Sequence, residues 1–284
     1  MKKETYWKHI RIANDLMYYI YTNIDTPINI DEMAETFGID KFYLHKIFKN
    51  IFGRNIYESI KSIRLQKASN LLITNRQSTI SKIAAACGYS SQTSFIRTFK
   101  ARFGMTPKAW KNGGYLQYSD KLLGSIQSSK LSFTEPAIVK QPAIEAFYLR
   151  DNGYGAHIKY SWQKLQTLIY TLEPESYTLI SLFHDNPAIT RLDACQHVSA
   201  IHLDAKKSEV NLPKFKIAGG VYAKFEVKGE REDLLHFIRW VFHSWLPQSG
   251  YETTTKPPYA IYRTNHHLSD DGRFDMDFYL SITL

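Results

Sequence analysis

Apolar residues in the first 113 positions recur at helical spacing. Met33, Ala34 and Phe37 stand at i, i+1, i+4, and Leu44, Ile47, Phe48 and Ile51 at i, i+3, i+4, i+7. Ile56, Ile60, Ile63 and Leu65 belong to a third, longer helix expected over about 55–72. Pro27 is the one proline before Pro107. Past Gly113-Gly114 the pattern changes. Residues 114–132, rich in Ser, Tyr and Lys, carry no clear period and read as a linker. From 133 to 284, strand-like runs at 143–148, 178–183, 221–227 and 276–282 alternate with two helical runs, 160–172 and 232–245. The expected architecture is therefore multi-domain: an all-α domain over 1–113, then an α+β domain over 133–284.

The helical part contains an internal repeat. IDEMAETFGIDKFYLHKIFKNIFG, residues 30–53, recurs as ISKIAAACGYSSQTSFIRTFKARFG, residues 80–104. Ala34 and Gly38 match Ala84 and Gly88 at an offset of 50. Leu44, Phe48, Lys49, Phe52 and Gly53 match Phe95, Phe99, Lys100, Phe103 and Gly104 at 51, so the second turn carries one extra residue. Each copy reads as helix, glycine turn, helix, which is a helix-turn-helix. The small Ala34 and Ala84 let two helices approach, and Gly38 and Gly88 supply the positive φ that ends a helix. Asp40 and Ser91 stand at the N-cap of the next helix.

Charge gives this repeat a direction. The chain has 284 residues and a net charge of +9. Up to Gly113 there are 18 Lys+Arg against 8 Asp+Glu, a net +10; from Gly114 onward there are 18 against 19, a net −1. A basic excess confined to one domain points to a polyanion. The second helix of each copy turns Leu44, Ile47 and Phe48, or Phe95 and Phe99, inward. Its other face shows Lys41, Phe42, His45 and Lys46 in the first copy and Gln92, Thr93, Ile96 and Arg97 in the second. Arg and Lys reach guanine O6 and N7, Gln pairs with adenine, and Thr and Phe touch the thymine methyl. Lys49, Lys82, Lys100, Arg102 and Lys108, near the helix ends, suit phosphates. The alternative for a single isolated copy is an αα-hairpin with a solvated polar face.

The second copy and its tail, IAAACGYSSQTSFIRTFKARFGMTPKAW, resemble the signature of AraC/XylS transcription regulators. Gly88-Tyr89, Ser94-Phe95, Arg97, Phe99-Lys100, Phe103-Gly104 and Thr106-Pro107 stand at that family's spacings. The resemblance covers about 7–111. It implies two helix-turn-helix units joined by one long helix, with base contacts from Phe42, His45 and Lys46 and from Gln92, Thr93 and Arg97. Many relatives carry Trp at the place of Phe42 and Gln-Arg at that of His45-Lys46, so the operator sequence does not transfer. Because the units differ, the expected site is an asymmetric duplex with two major-groove segments ~34 Å apart. Double-stranded DNA and RNA polymerase are the expected macromolecular partners.

The second half also looks duplicated. A strand, the helix SWQKLQTLIYTL and YTLISLFHDNP resemble a strand, the helix DLLHFIRWVFHSWLP and YAIYRTNH. Two strand–helix–strand–strand half-repeats leave a groove where ligands often bind. In the second helix Leu234, Phe237, Ile238, Val241 and Trp245 form one stripe, and Trp240 falls off it. The aromatic pocket candidates are Tyr148, Trp162, Phe183, Tyr222, Trp240, Tyr259 and Tyr262.

HDNP (184–187), RLDAC (191–195), AGGVYAKFEVKG (218–229) and WLPQSGYE (245–252) resemble GyrI-like effector-binding domains over about 136–284. Such domains bind small, often cationic or aromatic compounds. Many hold a counter-ion glutamate in a Pro-x-aromatic-Glu-x-Tyr strand, where this chain has Ala260. A buried cation needs a charge or an aromatic face, so the expectation is a neutral or larger ligand, a small hydrophobic or aromatic effector among them, or no ligand and a protein partner instead.

Glu145, Asp193, Glu226 and His266-His267 are the acid–base groups an enzyme would use, with no motif to join them. The histidines, beside Asp270-Asp271, read as solvated. No cofactor or metal pattern is present, since Cys87 and Cys195 lie far apart. No apolar run reaches the ~18 residues of a membrane span, and the polar first eight residues lack a secretion signal. The expected location is the cytoplasm, on the nucleoid. The competing reading is a ligand-binding or scavenging protein that coats DNA without sequence preference.

Overall fold

The computed structural model describes residues 3–123, 132–204 and 210–284. Its contacts divide the chain into two compact units. One takes in residues up to Leu72 together with Gln77–Lys108; the other takes in Ile73–Arg76 together with Ala109–Leu284.

The first unit is helical: α1 (Lys3–Thr22), α2 (Ile30–Thr36), α3 (Lys41–Phe52), α4 (Ile56–Thr74, its last two residues falling in the second unit), α5 (Ile80–Ala86) and α6 (Gln92–Phe103). α1, which the apolar spacing did not single out, buries Ile12, Ala13, Leu16, Met17 and Ile20 in one core with Leu44, Ile47 and Phe48 of α3. The second core is aromatic. Phe95, Phe99 and Phe103 follow one another down α6, with ring centroids 5.5 and 4.5 Å apart.

Local chemistry accounts for both turns. After α2, the Gly38 N–H donates to Glu35 O and the Ile39 N–H to Ala34 O. After α5, the Gly88 N–H donates to Ala85 O and the Tyr89 N–H to Ala84 O. This nested pair is the Schellman arrangement, closed by a residue with positive φ; φ is +61° at Gly38 and +75° at Gly88. The Asp40 carboxylate then accepts from the Phe42 and Tyr43 N–H groups at 2.8 and 3.2 Å. Ser91 Oγ accepts from the Ser94 N–H at 3.4 Å. Each cap contributes about 1 kcal/mol. The extra residue in the second copy is Ser90, which lengthens the run from glycine to N-cap.

The second unit begins with α7 (Pro107–Ala109, of which Ala109 belongs to it), a kinked π-helical turn (Trp110–Gly114) and α8 (Tyr115–Leu123). The helix corrects the expectation of a linker from residue 114; residues 124–131 of that stretch lie outside the described residues. The face that holds α8 in place is Tyr115, Tyr118 and Ser119, at i, i+3, i+4. Tyr118 lies 5.1 Å from the Trp110 ring and Tyr115 lies 5.0 Å from His243. A tyrosine–serine stripe has helical spacing without the hydrophobic contrast that makes it visible.

The rest is α+β: β1 (Ala137–Gln141), β2 (Ile144–Asn152), α9 (His157–Leu172), β3 (Ser176–Phe183), β4 (Gln196–Asp204), β5 (Lys214–Ile217), β6 (Gly220–Glu230), α10 (Asp233–Trp240), α11 (Leu246–Gln248), β7 (Glu252–Thr253), β8 (Tyr259–Thr264) and β9 (Arg273–Thr283). The strands form one antiparallel sheet in the order β1-β6-β9-β8-β3-β4-β2-β5, with β7 on β9. β2-α9-β3-β4 and β6-α10-β8-β9 are the two half-repeats. Directly paired residues share a face of the sheet. Ser181 pairs with Ser199 and Ala260, Ala260 with Phe278, and Phe278 with Phe225. These residues lie under the helices, where Trp162 of α9 meets Tyr262 and Phe237 of α10 meets Phe278. No helix of the described residues is long and apolar enough to cross a membrane.

Candidate functional site

In the first unit, α3 and α6 hold the residues expected to read a duplex. Phe42 is 81% exposed, a large hydrophobic cost at the start of a well-capped helix unless something covers it. Lys46, Gln92, Thr93 and Arg97 are exposed, as are Lys49, Lys82, Lys100, Arg102 and Lys108. None of these five cations is engaged by an acidic side chain among the described residues. Lys41 differs from the others: its Nζ sits 2.9 Å from Asp31 of α2. That pair is solvated and weak enough to exchange for another partner.

His45 is half-buried, with Tyr57 of α4 at 5.6 Å between ring centroids. Burial, helped by the Lys41 charge, lowers the His45 pKa. At neutral pH the ring therefore offers one donor and one acceptor rather than a positive charge. Tyr57, 57% exposed, is a neighbour that sequence reasoning missed. Spacing within α3 could not reveal it, because it lies on the next helix.

In the second unit a cavity of about 160 Å³ opens on the helix-covered side of the sheet. Its wall is formed by Ile158 of α9, Leu234, Leu235 and Ile238 of α10, Met276 of β9, and the segments around Phe183–Leu192 and His266-His267. Phe183 is the one expected pocket residue that borders it. Strand alternation explains most of the rest. Tyr148, Tyr222 and Tyr259 point to the opposite face of the sheet, where Tyr259 stacks on Tyr279 at 4.7 Å and Tyr148 packs on Phe215 at 5.2 Å. Trp162, Ala260 and Tyr262 lie under the helices but are consumed by the core. Trp240 packs against Phe133, Phe225 and Phe237. The eight residues expected to share one pocket are thus not brought together.

The histidines depart most from expectation. His266 and His267 line the cavity with their rings 4.0 Å apart instead of lying in solvent. Burial, the Arg231 charge and the neighbouring His197 hold His266 down at about 4, and His267 lower still. Both are neutral at physiological pH. Beside them a polar row crosses the sheet floor. His197 Nε2 lies 3.0 Å from Ser181 Oγ, its Nδ1 lies 4.0 Å from Asp151, and Ser161 Oγ donates to Asp151 at 2.9 Å. Ser181 is fully buried and does not border the cavity, so the row is a hydrogen-bonded support and not an accessible nucleophile. The other acid–base candidates stand apart: Asp193 pairs with Arg191 at 2.6 Å, Glu226 with Lys224 at 2.9 Å, and Glu145 is exposed on β2.

These histidines make a prediction. In the unfolded chain a histidine takes its proton near pH 6.5, whereas His266 folded takes it near 4. The unfolded state therefore gains protons first, and stability should fall as the pH drops from about 6.5 toward 4. His266→Gln should lessen that fall when thermal unfolding of the full chain is followed across this range. An identical pH dependence in the variant would place the histidine in solvent.

Residues 33–113 match the family described as a helix-turn-helix domain, and residues 134–283 match the GyrI-like small molecule binding domain. The regulatory protein SoxS of Escherichia coli (strain K12) is 35% identical over 104 residues, spanning 37% of this chain and 96% of SoxS. The F1 operon positive regulatory protein of Yersinia pestis is 28% identical over 292 aligned positions, spanning 94% of this chain and 90% of that protein. A solved AraC-type transcriptional regulator from Chromobacterium violaceum is 27% identical over 36% of this chain and 89% of its own, with a TM-score of 0.33. The chain belongs to the AraC/XylS family of helix-turn-helix, DNA-binding transcription regulators and carries a GyrI-like domain behind its DNA-binding domain.

Proposed function

We propose that this regulator reads an asymmetric duplex site through the exposed faces of α3 and α6, and that a small hydrophobic or aromatic effector in the cavity of the GyrI-like domain tunes that activity. The exposed, uncommitted side chains of both reading faces carry the proposal, with Phe42 at 81% exposure the clearest of them. Phe42, His45 and Lys46 would contact bases in one groove segment, and Gln92, Thr93 and Arg97 in the next. Lys49, Lys82, Lys100, Arg102 and Lys108 would fix the register on phosphates. Effector occupancy would shift populations of states that differ in DNA affinity or in contact with RNA polymerase.

A footprint of the full chain on its own upstream region tests the reading. A discrete protected segment, unequal in its two halves, is expected. Uniform protection would mean non-specific coating and favour a scavenging role.

A further inference from the structure

The ligand's charge can be read from the cavity wall. That wall is apolar except for Tyr154, Arg231, His266 and His267, and it holds no carboxylate. No charged group in the wall can neutralise a cation. The one charged group present would repel it, because Arg231 stands at the edge of α10 with no acidic partner within ion-pair distance among the described residues. A second polar group borders the same space: His266 lines the cavity with an imidazole that burial keeps neutral.

We infer that the cavity takes a small monoanion, an aromatic or compact alkyl body bearing a carboxylate or an equivalent anionic group, with the anion held by Arg231 and His266. This rests on the proposed effector role of the same cavity and specifies its ligand class. The volume, about 160 Å³, suits a single ring, since an apolar cavity of about 150 Å³ accommodates benzene. Arg231 supplies the fork that matches a carboxylate. His266 stays neutral and keeps one N–H to donate without adding a second charge. Discrimination against cations then follows from repulsion by Arg231 and from a wall without a carboxylate.

The test is calorimetric titration of the full chain with three molecules of nearly equal size: phenylacetate, phenylacetamide and phenethylammonium. Phenylacetate should bind at least about tenfold tighter than the other two, a difference of about 1.4 kcal/mol. Arg231→Gln, at an exposed position, should bring phenylacetate to the level of the amide and leave the amide unchanged. Leu235→Trp, which fills the cavity, should abolish binding of all three. The inference is overturned if phenethylammonium binds as tightly as phenylacetate, or if Arg231→Gln leaves phenylacetate unaffected. Should the amide or the ammonium bind best and Leu235→Trp abolish it, only the anion assignment fails and the effector site stands. If none of the three binds, or if binding survives Leu235→Trp, both fail.

Discussion

Gly88→Ala should destabilise the DNA-binding unit by about 3 kcal/mol, while Gly38→Ala, at the matching position of the first repeat, should cost about 1. Both glycines have positive φ, so an alanine at either carries the left-handed backbone penalty. Their surroundings separate them. A Cβ on Gly38 meets nothing within 4 Å, whereas one on Gly88 runs into Ile24 O and lies 2.6 Å from the Arg64 guanidinium. Arg64 cannot simply move aside. Its Nε and Nη2 donate to Ile24 O and Thr26 O at 3.2 and 2.9 Å, tying α4 to the end of α1. The alanine must displace a backbone carbonyl and break this clamp together. Against a total stability of 5–15 kcal/mol, the expected result is a large drop in the denaturation midpoint and loss of specific DNA binding at 37 °C. Equal effects of the two substitutions would show that the close approach at Gly88 is not there.

Arg97→Ala should weaken specific binding by about 1–3 kcal/mol, roughly 5- to 150-fold, and relax sequence preference at one position of the site. Arg97 lies on the exposed face of α6, a helix fixed from beneath by Phe95 and Phe99 and from its start by Ser91. On the proposed reading, truncating it removes a base contact without touching the core. Lys108→Ala offers the contrast, since a phosphate contact lowers affinity for all sequences alike and reduces the salt dependence by about one ion. Gel-shift titrations against the footprinted segment and against single-base variants of it distinguish the two. An unchanged operator affinity for Arg97→Ala would put the reading face elsewhere on α6.

How much of this was visible in the sequence depended on the range of the interactions. The helix-turn-helix pairs were legible because their determinants are local. Ala34, Gly38 and Asp40, and Ala84, Gly88 and Ser91, act within a few residues and recur as a set. α8 was not legible, since its packing stripe is made of Tyr115, Tyr118 and Ser119. The cavity was not legible either. It joins residues from Tyr154 to Met276, and an aromatic in a strand points to one face or the other according to a register that pairing alone sets. Tyr259 and Ala260 are neighbours in sequence and lie on opposite sides of the sheet. Asp270-Asp271 suggested solvent around His266-His267, yet the tertiary fold encloses them. Ala260 was readable from the start as a position without a carboxylate, but only the fold shows that it lies in the core, outside the cavity wall.

Selection of bound duplexes from a random pool by the full-length chain tests most directly that two non-identical repeats read one site. The enriched motif should be asymmetric and bipartite, with its two segments separated by about one helical turn. Repeating the selection with Arg97→Ala should blur only the segment read by α6. A palindromic motif, a single short segment, or no enrichment over the starting pool would contradict it.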